Sequence, residues 1–146
     1  HIDGMTIEEA EHMLATRLYQ NAAKVHFDQF AANDSRCKRR LIYGGHIISL
    51  ARALSFNGLA NAFKLVAING GTHTNPTFAG DTIYAWSEVQ KCMEIPGRND
   101  VGALRLRTVA GKDRPSADHP YKTNDGKYDE SVVLDFDYTV LMPRRG

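Results

Sequence analysis

With 146 residues, 42% of them hydrophobic and 24% charged, the chain can bury the core of one soluble globular domain and is too short for two. Its 18 basic and 17 acidic side chains leave a net charge of +1 spread along the sequence, which excludes the concentrated basic footprint of a nucleic-acid or membrane-surface binder. No apolar run approaches the roughly 20 residues of a spanning helix, and no signal-peptide pattern is present.

The chain opens with His1 rather than Met, so residues 1–5 read as a remnant ahead of or including a native start at Met5. Thr6 followed by Glu9 has the form of a capping box, and Ile7, Ala10, Leu14 and Leu18 recur at helical spacing, which predicts a first helix over Thr6 to Tyr19. Gln20 to Arg40 lacks periodicity and reads as loop and short turns. Binding residues concentrate on such segments when a rigid scaffold holds them. Cys37 and Cys92 match no metal or redox spacing and read as two reduced thiols, which points to a cytoplasmic setting.

From Gly44 to Asn57 apolar residues fill most of a turn's circumference, so this second helix is expected to be largely buried, with Gly58 as its terminal glycine. Beyond it the sequence alternates. Ile83 and Ala85 oppose Tyr84, Trp86 and Glu88; Leu104 and Leu106 oppose Arg105 and Arg107. Near the end Val132, Leu134, Phe136, Tyr138 and Val140 oppose Val133, Asp135, Asp137 and Thr139. These patterns predict half-buried antiparallel strands. The glycines of "GGTHTNPTFAGD", Gly70, Gly71 and Gly80, read as turns, since the phosphate-loop lysine and the following helix are missing. The polar stretch "GKDRPSADHPYKTNDGKYDE" reads as a mobile loop or a flap. One buried helix followed by long antiparallel strands predicts an α+β fold in which a sheet curls around a central helix.

Three local patterns, "NAAKVHFD", "YGGHIISLA" and "NPTFAGDTIYAWSEV", resemble the MaoC-like, type-2 (R)-specific enoyl-CoA hydratases of the hot-dog fold. Within that family the resemblance is strongest to the carboxy-terminal hot-dog half of the mesaconyl-CoA hydratase branch, and it runs from Thr6 to Arg145. It implies one hot-dog domain over residues 1–146. It also implies a hydratase or dehydratase acting on a short-chain, mesaconyl-CoA-like enoyl thioester. The family pattern of Asp, His five residues later and Asp two beyond falls on Asn21, His26 and Asp28, with Asn in place of the first Asp. The helix-opening glycine that binds the thioester oxygen falls on Gly44, with Gly45 beside it, and Ser49 takes a position near the site on the buried helix.

These residues suit that chemistry. Imidazole titrates near neutral pH, so His26 can carry both proton steps. Unpaired N–H groups at a helix N-terminus, reached closely at Gly44 and Gly45, can hold a developing oxyanion. Asn21 cannot exchange a proton but can orient water or the imidazole. Asp28 also fits a local cap, Ser49 a helix serine bonded to the preceding turn, and Gly44 and Gly45 close packing of the helix on the sheet. His46 and His73 lack carboxylate partners at ligand spacing, so no metal is expected, and the only coenzyme is the CoA carried by the substrate. Arg144, Arg145 and Cys37 to Arg40 offer positive charge for its phosphates. Hydrolysis of the thioester and non-catalytic acyl-CoA binding are the alternatives, and a homodimer of hot-dog units is expected to cover the exposed sheet edges.

Overall fold

The computed structural model describes residues 1–145. Its elements in chain order are β1 (Met5–Thr6), α1 (Glu9–Leu18), α2 (Gln29–Ala32), α3 (Gly44–Leu54), α4 (Phe56–Leu59), β2 (Lys64–His73), β3 (Thr82–Glu94), β4 (Val101–Lys112) and β5 (Val132–Pro143). The strands form one antiparallel sheet in the order β1-β3-β4-β5-β2, and α3 packs on one face of it against β3, β4 and β5. That is the α+β arrangement the order of elements predicts.

The alternation in β3, β4 and β5 places its apolar members where expected. Ile83, Ala85, Leu106, Leu134, Phe136, Tyr138 and Val140 are all buried in the core with α3. Helix α3 contributes Ile47, Ala51 and Leu54, spaced four and three apart along one face. It is buried on that face only, because Ser49 and Ala53 on the opposite side are exposed. It also stops at Leu54 rather than Asn57. The Ser55 hydroxyl donates to Arg52 O at 2.8 Å at the junction, and Gly58 lies inside the short α4 rather than ending α3.

The first helix begins later than its local pattern suggests. Met5 and Thr6 pair with Ile83 and Thr82, and Ile7 N–H donates to Asp81 O at 3.0 Å, so this stretch is held extended at the sheet edge. Sheet pairing overrides the Thr6 cap, and Glu8 starts the helix instead, with its N–H donating to the Glu11 carboxylate. The inward face shifts as a result. His12, Met13 and Thr16 are buried, while Leu14 and Leu18 are 66% and 69% exposed.

Gly70 and Gly71 are not turn residues. They lie within β2, paired with Asp137 and Phe136, and a Cβ at position 71 would sit 3.5 Å from the Phe136 ring. Only Gly80, at φ +97°, marks the turn into β3. β2 is exposed along its whole length and pairs with β5 on one side alone, which leaves a ten-residue unpaired edge. The segment from 113 to 131 is strapped across the outer face of the sheet rather than free. Trp86 Nε1 donates to Pro120 O at 3.0 Å, and the Tyr121 and Tyr128 hydroxyls donate to Asp135 Oδ2 at 2.8 and 2.9 Å. Cys37 and Cys92 are free thiols.

Candidate active site

A cleft of about 350 Å³ opens where the N-terminus of α3, the end of β2 and the loop after α1 converge. His26, Gly44, Ile47, His73, Asn75 and Thr77 are among the residues that line it. Two of these side chains are imidazoles.

The loop that carries His26 is built by local hydrogen bonds. Asn21 N–H donates to Thr16 O at 3.0 Å, which closes the end of α1, and its side-chain oxygen accepts from Ala23 N–H at 2.9 Å. This is an Asx turn, and it feeds a single 3₁₀ turn over Lys24–His26. Asp28 then caps α2, with Oδ1 accepting from Ala31 N–H at 3.0 Å. Asn21 and Asp28 thus bracket His26 in sequence and shape its turn from outside the cleft.

His26 is anchored by its own ring. Nδ1 lies 3.0 Å from Leu41 O. A carbonyl only accepts, so Nδ1 carries the proton of that bond. In the neutral ring Nε2 is therefore an unprotonated acceptor, ready to take a proton. Tyr43 meets the imidazole edge-on, with ring centroids 6.0 Å apart.

Helix α3 supplies the complementary charge. Its N-cap, Tyr43, makes no side-chain cap, and its carbonyl accepts from the His46 and Ile47 N–H groups, which leaves those of Gly44 and Gly45 available in the positive end of the helix dipole. Gly44 lines the cleft. Gly45 serves the neighbouring ring instead, since a Cβ there would lie 2.5 Å from Tyr43 Cζ. Ser49 sits one turn on, exposed, with its hydroxyl donating to Gly45 O at 2.9 Å. Of the six residues singled out from the sequence, His26 and Gly44 share the cleft, while Asn21, Asp28, Gly45 and Ser49 support the elements that carry them.

In the sequence His73 bears no mark of a site residue beyond a poor fit to metal ligation. The structure brings it into the cleft from the end of β2, where its register partner is the core residue Leu134. Burial of the ring, and secondarily the nearby His26, holds its pKa below the ordinary imidazole value. β2 is exposed along its length and carries two glycines, so no alternation in the sequence marks His73 as a residue of the cleft. Among the described residues no group of His, Cys, Asp or Glu has the arrangement of a metal site.

No model of a known protein family matches the chain. It is 70% identical over 146 residues to beta-methylmalyl-CoA dehydratase of Chloroflexus aurantiacus, a match that covers all of this chain and 42% of that protein. It is 60% identical over 148 residues to mesaconyl-CoA hydratase of Cereibacter sphaeroides, covering 99% of this chain and 40% of that protein. The chain therefore spans less than half the length of these curated relatives. A solved MaoC domain protein dehydratase from Chloroflexus aurantiacus superposes with a TM-score of 0.96 at 70% identity, again over 100% of this chain and 42% of the other. The MaoC-like dehydratase from Rhodospirillum rubrum, 19% identical over 99% of this chain and 90% of its own, shares the fold with a TM-score of 0.72.

Proposed function

We propose that this MaoC-like hot-dog chain forms the active half of a hydratase/dehydratase that adds water to, or removes it from, a short-chain enoyl-CoA of the mesaconyl-CoA type. The observation that carries the reading is the pairing of the His26 base with the uncapped α3 N-terminus at Gly44 in one cleft. The similarity to beta-methylmalyl-CoA dehydratase and mesaconyl-CoA hydratase supports a small, branched, carboxylated acyl group.

The chemistry follows from the two walls. His26 Nε2 takes a proton from water as the water oxygen bonds to C3 of the enoyl group. The C2–C3 π electrons move toward the thioester, whose oxygen becomes negative and faces the Gly44 N–H. One such donor, preorganised where charge develops, is typically worth about 2.7–4 kcal/mol. The imidazolium of His26 then returns its proton to C2, so the elements of water have been added and the neutral ring is restored. Thioester hydrolysis in this fold is expected to need a carboxylate, and none of the described residues lining the cleft carries one.

The unpaired edge of β2, with Leu65, Val66 and Ile68 exposed along it, supports pairing with a second hot-dog unit. That unit is a second copy of this chain or the remainder of a longer one. The free thiols fit a reducing, cytoplasmic compartment. The test is a panel of crotonyl-, mesaconyl- and saturated short-chain acyl-CoA, followed both for loss of the conjugated enoyl absorbance and for free thiol. Loss of absorbance without thiol is expected. Thiol release would instead identify a thioesterase, and silence in both channels a binding module. Light scattering at micromolar concentration is expected to show a dimer, and a monomer would rule out a second copy of this chain as the partner unit.

A further inference from the structure

The His73 ring occupies the space in front of the first residue of α3. A Cβ built at Gly44 would lie 2.5 Å from His73 Nε2 and 2.8 Å from Cε1, so the imidazole presses directly on the backbone that opens the helix. Position 44 is thus a glycine for two reasons. A substrate can approach its N–H, and an imidazole already fills the room of its side chain.

We propose that His73, as a neutral imidazole, donates a hydrogen bond to the thioester oxygen and so forms the second donor of the oxyanion hole with Gly44 N–H. This rests on the reading of the cleft as an enoyl-CoA site. Three observations support it. His73 and Gly44 line the same cleft, and among the described residues none hydrogen-bonds to the His73 ring, so its N–H is open to a ligand. The ring sits at the positive end of the α3 dipole and is partly desolvated, and both effects disfavour the imidazolium. A neutral imidazole donates to a developing oxyanion without being consumed as an acid. Its position also divides the labour of the site. His26 is fixed to Leu41 on the loop wall, where it can serve water and C2, while His73 stands at the helix wall, where the thioester charge gathers.

His73→Phe keeps a flat ring over Gly44 and removes the donor. It is expected to lower kcat about 100-fold, the usual effect of losing one oxyanion donor, with a much smaller change in KM. His73→Gln, which restores an N–H, should recover part of the loss. A kcat in His73→Phe within about threefold of the parent overturns the proposal. A second readout needs no turnover. Crotonyl-CoA labelled with carbon-13 at the thioester carbonyl is bound to the His26→Ala protein and to His26→Ala with His73→Phe. The carbonyl resonance should move downfield in the first and return toward its free position in the second. A bound signal with the same shift in both overturns the role of His73 alone. A label that never binds either protein or the parent overturns the acyl-CoA reading, and this inference with it.

Discussion

His73 Nε2 stands 2.5 Å from the place a Cβ of residue 44 would take, so β2 and α3 meet through an imidazole laid against a bare backbone. The contact is with the end of a side chain that can rotate, and His73 lies at the exposed sheet edge. Gly44→Ala should therefore leave the fold intact while pushing the ring away from the helix N-terminus. We expect a loss of activity of about 100-fold or more, as one or both donors are displaced, with a melting temperature within a few degrees of the parent. An unaltered rate in Gly44→Ala would show that the close approach at this position has no part in catalysis.

Asn21 shapes the His26 turn through its side-chain oxygen, which an aspartate also possesses. Asn21→Asp is expected to keep the turn and most of the activity. Asn21→Ala loses the Asx bond, worth about 0.5–1.5 kcal/mol, and should leave a reduced but measurable rate because His26 is no longer held as firmly. Denaturant melts together with kcat for the two variants separate these effects. A complete loss of turnover in Asn21→Ala would assign the amide a direct part in the reaction.

Acid should weaken the fold through His12. This side chain is fully buried in α1, and burial lowers its pKa, with the Arg40, His46 and His26 charges acting in the same direction and Glu9 opposing them. The unfolded chain then binds the proton more readily than the folded one. The stabilisation is present above the ordinary histidine value of 6.5 and is lost as pH falls through the folded value. Equilibrium unfolding between pH 8 and pH 5 should show stability declining below about 6.5, with a shallower decline in His12→Gln. An equal slope in the two proteins would point to other groups.

At the opposite extreme, burial and the bond to Asp135 push the Tyr121 hydroxyl up to about 12, and the same causes raise Tyr128. Folding thus favours the protonated phenols, and their contribution is complete below the ordinary value of 10.0 and lost as pH rises through about 12. A spectrophotometric titration should find Tyr121 and Tyr128 ionising late. Asp135→Ala should bring them earlier and open the 113–131 strap to proteases.

The parts of this molecule that were legible in the sequence are those whose burial is settled within the chain. The alternation from Val132 to Val140 predicts β5 because one side of it meets α3, and the glycine-led start at Gly44 predicts the opening of α3. The rest depends on contacts that distant residues make. Thr6 has a helix cap's sequence, but Thr82 claims it for the sheet. Leu14 and Leu18 have the spacing of a buried face, yet they remain exposed. β2 was hidden because an exposed edge strand with two glycines carries no alternation of its own. His73 was hidden with it, and so was half of the cleft's proton-exchanging chemistry.

If His26 Nε2 is the base at the enoyl carbon, its removal must stop hydration without unfolding the chain. The decisive comparison is hydration of mesaconyl-CoA and crotonyl-CoA by the parent and by His26→Ala, with circular dichroism showing both folded. Loss of enoyl absorbance without thiol release is expected in the parent, and loss of nearly all turnover in the variant. Equal rates in the two proteins would contradict it.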